Sequence, residues 1–184
     1  MLTPSESQPV TLEEIKDQCR IDPTDTAQDA LLMAHAQAAR QVIEEMTGHV
    51  LTPQTYRLTL DGFPGNGRPI EIPRVPVIVI NAVQYYDGTG TLQTWDSGEY
   101  VLEGSGRVAR LAPGYGYSYP SAQTRLGAVL IEFDAGYGSD SPENEALPEA
   151  LRTAVLLKIQ SLYDGTDLEA TIANLTAHYK VWGF

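Results

Sequence analysis

Residues 46–60 read M-T-G-H-V-L-T-P-Q-T-Y-R-L-T-L, and the periodicity of the chain changes within them. Before Gly48 the apolar residues recur with helical spacing, and glycine is a common residue just past the end of a helix. After it, apolar and polar residues alternate, with Tyr56, Leu58 and Leu60 on one side. Such alternation is typical of a strand with one face in water. The stretch therefore predicts that a helical segment gives way to a β region here.

Two helices are predicted before this change. Thr11 and Glu14 have capping-box spacing and predict the start of the first helix. Cys19 then lies on its apolar face and is interpreted as a core residue. A second helix is predicted from about Asp25 to Thr47, again from capping-box spacing at its start. The side expected to pack against other helices carries Ala30, Leu31, Ala34, Ala38, Val42 and Met46.

Several short apolar stretches separated by turn residues follow, and residues 77–86 are the most apolar of them. This pattern predicts a small antiparallel sandwich or barrel, with a hairpin around residues 104–106. The sequence Asp87-Gly88-Thr89-Gly90 superficially resembles a phosphate-binding loop. No helix with Lys and Ser or Thr follows it, so a turn is the better interpretation.

Helical periodicity returns at Pro148, a residue suited to the first turn of a helix. The helix that follows has two adjacent apolar stripes, which predict burial against its own subunit and against a neighbouring copy. Thr166 and Glu169 have capping-box spacing and predict a short final helix. The residues assigned to contacts between subunits are Leu151, Ala154, Val155, Leu157 and Ile159.

The predicted fold class is α+β: a helical bundle formed by N- and C-terminal helices, with an inserted small antiparallel β domain. Residues 1–50 and 146–184 are assigned to the bundle and residues 51–138 to the β domain. The polar, acidic residues 139–145 are assigned to a linker.

The chain has 184 residues and a formal net charge of −12, and the charge is unevenly distributed. Residues 1–50 hold nine acids and three bases, residues 51–138 eight and six, and residues 139–184 seven and three. The lack of clustered Lys and Arg argues against a protein that grips nucleic acid by its phosphates. No apolar run approaches the roughly twenty residues of a membrane span. No secretory signal is visible at the start.

No constellation of catalytic or metal-binding residues is recognisable. The single cysteine excludes an internal disulfide framework. His35, His49 and His178 fall on different predicted elements without metal-ligand spacing to one another. We therefore predict no enzyme, no cofactor and no metal site.

Tyrosines form the more informative pattern. Tyr115, Tyr117 and Tyr119 alternate in a loop rich in glycine and proline, and Tyr85 and Tyr86 form an adjacent pair. Three interpretations stay open at this point: packing of the core and the loop, contact with another protein, or stacking on a sugar.

The order of local motifs resembles that of the tailed-phage head–tail connector proteins, also called head-completion or adaptor proteins, in the subgroup with an inserted β domain. The opening resembles the family at T-L-E-E-I-K (11–16) and C-R-I-D (19–22). In the β part, the matching stretches are L-T-P-Q-T-Y-R-L (51–58), I-P-R-V-P-V (72–77) and Y-Y-D-G-T-G (85–90). Where helical periodicity returns, the matching stretches are A-G-Y-G (135–138) and L-P-E-A-L-R (147–152).

The resemblance implies a virion protein of the neck that assembles in the host cytoplasm. It implies a dodecameric ring of identical copies below the portal protein, which extends the channel for double-stranded DNA without binding it specifically. It also implies docking of a neck, tail or stopper protein, and no membrane.

The aromatic end of the chain suggests a separate hypothesis. Tyr179, Val181, Trp182 and Phe184 are predicted to dock onto the portal, because large aromatic groups are strong interface anchors. The alternative is that this tail folds back onto its own bundle. The alternative function for the whole chain is a carbohydrate-binding or host-contact module of a phage particle.

Overall fold

Alternating helical and β segments fold into two units in the computed structural model, which describes residues 1–2, 7–104, 108–138 and 146–181. The β unit consists mainly of Pro53–Gly136, and the helical unit is built from the segments on either side of it. The predicted α+β class, with helices at both ends of a β region, is confirmed. The exact boundaries of an independently folding β domain at 51 and 138 stay a prediction. The proposed linker, 139–145, lies outside the described residues.

The helical unit contains four α-helices among its described residues. Two precede the β unit and two follow it: α1 (Leu12–Cys19), α2 (Asp29–Thr47), α3 (Glu149–Asp164) and α4 (Glu169–Thr176). A short 3-10 turn, Ala177–Tyr179, continues from α4.

One of the three predicted capping boxes is present. The Thr11 hydroxyl accepts from the Glu14 amide at 3.3 Å, and the Glu14 carboxylate accepts from the Thr11 amide at 2.7 Å. The prediction for α2 was wrong, because that helix begins at Asp29 after Gln28. The Asp25 carboxylate instead accepts from the Ala27 amide two residues on, which forms a turn rather than a helix start.

The third predicted capping box was also wrong. Helix α4 begins at Glu169, and Leu168 occupies the position before it without a side-chain cap. The Asp167 carboxylate accepts from the Glu169 amide at 3.1 Å, so a local aspartate turn takes the place of the expected Thr166 cap.

The predicted packing face of α2 was wrong for four of its six residues, whereas Val42 and Met46 are half-buried and Met46 packs against the core of the unit. Ala30, Leu31, Ala34 and Ala38 are exposed. The buried apolar side chains of α2 lie on another face: Leu32, Ala36, Ala39 and Ile43.

Hydrophobicity alone could not identify the buried face of α2, because that face also carries Arg40 and Glu44. The Arg40 guanidinium donates to the Ser7 carbonyl at 2.6 Å and to the Thr52 hydroxyl at 3.2 Å. The Glu44 carboxylate accepts from the Leu51 amide at 2.9 Å. Both charged groups are therefore buried with polar partners, which a hydrophobic pattern cannot anticipate.

Aliphatic side chains from all four helices form the core of this unit. Its fully buried members from α1, α2, α3 and α4 are Ile15; Leu32, Ala36, Ala39 and Ile43; Leu151, Ala154, Val155 and Ile159; and Ile172. Cys19 also belongs to this core, as predicted, and burial raises the pKa of its thiol.

The described β unit contains two antiparallel sheets. The larger has the strand order β1 (Gln54–Leu60), β7 (Val129–Ala135), β3 (Val77–Tyr86), β4 (Leu92–Thr94). The smaller has the order β2 (Ile70–Ile72), β6 (Ala109–Pro113), β5 (Tyr100–Glu103). Strand β3 is an interior strand, as predicted, and is irregular between Val77 and Ala82.

The register of the two sheets follows from the alternation seen in the sequence. Val129, Ile131, Phe133 and Ala135 of β7 are buried, while the residues between them are half-buried. Strands β5 and β6 pair with Glu103 opposite Arg110, so the predicted hairpin partners do pair. The tip of that hairpin, residues 105–107, lies outside the described residues.

Candidate functional site

The residues assigned to subunit contacts lie in the core of the helical unit. Leu151, Ala154, Val155 and Ile159 are fully buried, and Leu157 is half-buried against the same core. An isolated copy therefore offers only Leu157 of this set to a neighbour. Subunit contact through the other four residues stays a prediction, and it would require the helices of the bundle to separate.

The residues assigned to portal docking lie partly on the chain's own helical unit. The Val181 amide donates to the Thr47 carbonyl at 2.8 Å, and the Tyr179 ring packs edge-on against His49 with 5.6 Å between centroids. Trp182 and Phe184 lie outside the described residues. Up to Val181, the tail thus follows its own bundle.

His49 is the centre of the contacts at this end of the helical unit. Its ring stacks on Tyr137 at 5.8 Å, and its Nδ1 atom lies 2.6 Å from the Tyr137 hydroxyl. Burial lowers the pKa of His49 to about 4, despite an opposing backbone hydrogen bond with Tyr179. The imidazole is therefore neutral at pH 7 and serves as a packing and hydrogen-bonding group.

The exposed side of α2 is the most unusual surface of the helical unit. We call it the α2 face; it comprises Ala30, Leu31, Met33, Ala34, Gln37, Ala38 and Gln41. Leu31 is 48% exposed and Met33 38% exposed, and the first charged side chain on this side of the helix is Glu45, which accepts from the Gln41 side chain one turn beyond the face. The sequence identified much of this stripe but assigned it to packing within the subunit. A stripe without charge is typical of a buried helix face, so the sequence alone does not reveal that this one is exposed in a single copy.

Aromatic rings form a cluster in the β unit, around Phe63. Its ring stacks on Tyr119 at 5.0 Å and meets Trp95 edge-on at 5.5 Å and Tyr85 at 5.8 Å. Trp95 also contacts Tyr100 at 5.1 Å. These five residues, Phe63, Tyr85, Trp95, Tyr100 and Tyr119, are called the aromatic cluster below.

The tyrosines of the loop between β6 and β7 therefore divide into two groups. The Tyr119 hydroxyl donates to the backbone carbonyls of Arg68 and Leu111 at 2.8 and 3.2 Å, which fixes its ring in the aromatic cluster. Tyr115 and Tyr117 are exposed. Packing accounts for Tyr119, whereas the two exposed rings are available to a partner.

The Asp87–Gly90 segment is a turn, as predicted. The Asp87 Oδ1 atom accepts from the amides of Thr89 and Thr91 and from the Thr89 hydroxyl. Hydrogen bonds from the Thr89 and Gln93 side chains hold the pKa of this carboxyl well below its usual range. A carboxylate at the centre of the turn opposes phosphate binding.

The described residues provide neither a metal site nor a membrane-spanning helix. Over residues 1–2, 7–104, 108–138 and 146–181, no group of three His, Cys, Asp or Glu side chains is placed to hold a metal ion. No helix in that part of the chain is both long and apolar enough to cross a membrane.

Comparison with known proteins gives one match to a family model and several matches to solved structures. Residues 9–90 match the sequence model of the phage gp6-like head-tail connector protein family. No curated protein sequence matches the chain.

Solved structures extend the similarity to the whole chain. A chain of the neck of an empty gene transfer agent (GTA) particle, computed with C6 symmetry, superposes with a TM-score of 0.77 at 22% identity, covering 100% of this chain and 97% of that one. A chain of the virion of a native GTA particle gives 0.76 at 22% identity, and one of the native GTA neck computed with C12 symmetry gives 0.71 at 21%, with the same coverage.

These matches do not favour the carbohydrate-binding or host-contact alternative. The resemblance to the head–tail connector proteins is confirmed, since residues 9–90 carry the sequence pattern of that family and the whole chain has the fold of a neck protein of a GTA particle.

Proposed function

We propose that this protein is a structural adaptor of the virion neck, which forms a ring below the portal protein. The observation that carries the proposal is the fold match over the full chain to a neck protein, together with the family match of residues 9–90. The C6 and C12 symmetries of the matched necks support a ring, and twelve copies is the number we propose. The ring assembles in the host cytoplasm and acts without catalysis.

A closed ring requires that one surface of each copy meets a different surface of the next. Every copy carries a net charge of −12, so copies approach best where their surfaces lack charge. The α2 face meets this condition, with two large apolar side chains, Leu31 and Met33, among small and uncharged ones. We propose that this face contacts the neighbouring copy in the ring.

The same net charge suits a DNA conduit. Double-stranded DNA carries one negative charge per about 1.7 Å of axis, so an acidic wall lets it slide without adhering. The ring therefore extends the portal channel, and specific DNA binding is not expected. The end of the chain, Tyr179, Val181, Trp182 and Phe184, docks on the portal in this proposal, while another surface receives the neck, tail or stopper protein.

Mixing the purified protein with isolated portal rings of its own particle, followed by electron microscopy, tests the proposal. We expect rings of this chain stacked coaxially on the portal. Ala38→Glu, which adds a charge to the α2 face, should abolish ring closure. Ala170→Glu, an equal change at an exposed position of α4, should leave it intact. A portal that stays bare with the unmodified chain would refute the adaptor function, whereas unimpaired rings with Ala38→Glu would refute only the assigned face.

A double variant, Trp182→Ala with Phe184→Ala, tests the docking of the tail separately. It should reduce portal binding without loss of helical structure. Unchanged binding would show that the portal is recognised elsewhere.

A further inference from the structure

The β unit has an open depression whose walls combine aromatic rings with carboxylates. It has a volume of about 630 Å³, and three members of the aromatic cluster line it: Tyr85, Trp95 and Tyr119. The exposed ring of Tyr117 lies at its edge. The charged residues among its lining are Asp96 and Glu99, both negative.

Both carboxylates are held in place by local hydrogen bonds. The Trp95 indole N–H donates to the Glu99 Oε2 atom at 2.9 Å, and the Asp96 Oδ1 atom accepts from the Gly98 amide at 2.8 Å. A short 3-10 turn, Ser97–Glu99, joins the two residues, and the Gly114 amide donates to the Glu99 carbonyl at 2.8 Å. The turn and the tyrosine loop are thereby tied together, so the site exists before any ligand arrives.

The ion pairs of the β unit involve carboxylates outside the depression. Glu103 pairs with Arg110 and Glu132 pairs with Arg57. Among the described residues, no ion pair involves Asp96 or Glu99. The charge of the depression is therefore uncompensated, and a cation from outside would complement it.

The aromatic lining narrows the choice of cation. Arginine has a planar guanidinium that donates to carboxylates and also lies favourably on aromatic rings. The β unit already contains such a contact, since the Arg125 guanidinium lies 4.2 Å from the centre of the Tyr86 ring.

We propose that this depression binds an arginine side chain presented by a partner protein. The guanidinium donates to the carboxylates of Asp96 and Glu99, and its aliphatic stem packs against Tyr117. An oligosaccharide fits less well, because it leaves the charges of Asp96 and Glu99 without a cation, and because Trp95, only 3% exposed, offers no second stacking face beside Tyr117. Binding at this site does not depend on assembly of the copies into a ring, so it is measurable on the isolated chain.

The Trp95 indole N–H reports on the site directly, because it donates to Glu99. The experiment is a titration of the full ¹⁵N-labelled chain with N-acetyl-argininamide, followed by NMR, with N-acetyl-citrullinamide as the uncharged probe of matched shape. The chain has two tryptophans, and Trp182→Phe assigns the indole signals. We expect the Trp95 indole signal to shift in a saturable way with the arginine probe and to stay in place with the citrulline probe.

Variants then separate a built site from general attraction to an acidic protein. Asp96→Asn and Glu99→Gln should each weaken the arginine probe about tenfold, since a charge-assisted hydrogen bond is lost. Glu71→Gln, which removes an exposed carboxylate from outside the depression, should leave the affinity unchanged. The dispersion of the amide spectrum shows whether each variant is folded. Tyr117→Ala, at an exposed position, should weaken binding of the arginine probe by a few-fold.

Three results would overturn the proposal. The first is no shift of the Trp95 indole signal with the arginine probe, and the second is an equal shift with the citrulline probe or an equal loss of affinity in Glu71→Gln. The third is a larger saturable shift with a neutral oligosaccharide such as maltotriose, which would make the depression a sugar site.

Discussion

The helical unit and the β unit both bury aliphatic side chains but expose different kinds of surface. The helical unit has an aliphatic core and leaves the uncharged α2 face in solvent. The β unit places the aromatic cluster around Phe63 and leaves Asp96 and Glu99 beside an open depression.

The two surfaces, one uncharged and one acidic, suit two different kinds of protein contact. Identical acidic copies meet best through an uncharged surface, whereas a different, basic partner is attracted by a negative one. We therefore place self-association on the helical unit and recognition of a second protein on the β unit. The predictions below test first the two cores, then the contacts at the end of the helical unit.

The largest expected effect is in the β unit. Trp95→Ala removes a buried ring from the aromatic cluster together with its hydrogen bond to Glu99, and should cost about 3–5 kcal/mol. Hydrogen exchange should show lost protection in strands β3 and β4, with helices α2 and α3 protected as before. Equal loss in both units would show that they do not have separate cores.

A slightly smaller effect is expected in the helical unit. Leu151→Ala removes a fully buried side chain of α3 and should destabilise this unit by about 3 kcal/mol. Leu157→Ala, at a half-buried position of the same helix, should cost about 1 kcal/mol. Urea unfolding measures both. If Leu151→Ala instead left stability unchanged and reduced assembly, the original assignment of Leu151 to a subunit contact would be correct.

The smallest effect concerns pH. The pKa of His49 is about 4 in the folded chain against 6.5 ordinarily, so the folded state disfavours its protonation. The contribution of neutral His49 to the free energy of unfolding is therefore complete above pH 6.5 and is lost as the pH falls towards 4. At pH 5 the free energy of unfolding should be lower by about 1 kcal/mol, after allowance for the partial exposure of the ring. The melting temperature of the unmodified chain should fall more steeply over this range than that of His49→Gln. Parallel curves would show that His49 titrates normally.

Much of the fold was predictable because local and global preferences agree in it. The Thr11–Glu14 capping box, the alternation along β7 and the interior position of β3 all appear in the sequence and in the structure. Helix starts were less predictable where an aspartate forms a turn with its own backbone, as at Asp25 and Asp167.

The surfaces were less predictable than the elements. The buried side of α2 includes Arg40 and Glu44, and only their partners outside the helix, Ser7, Thr52 and Leu51, explain why that side faces inward. The depression beside Asp96 and Glu99 combines residues from two separate stretches of the chain, 94–99 and 116–121. Neither feature has a local signal in the sequence.

The most direct test of the central claim is a reconstruction, by electron cryo-microscopy, of the neck of the particle that carries this protein. The proposal predicts a ring of this chain immediately below the portal, with the α2 face of each copy in contact with its neighbour. A neck without this chain would contradict the proposed function, and a ring in which Leu31 and Met33 face solvent would contradict the proposed subunit contact.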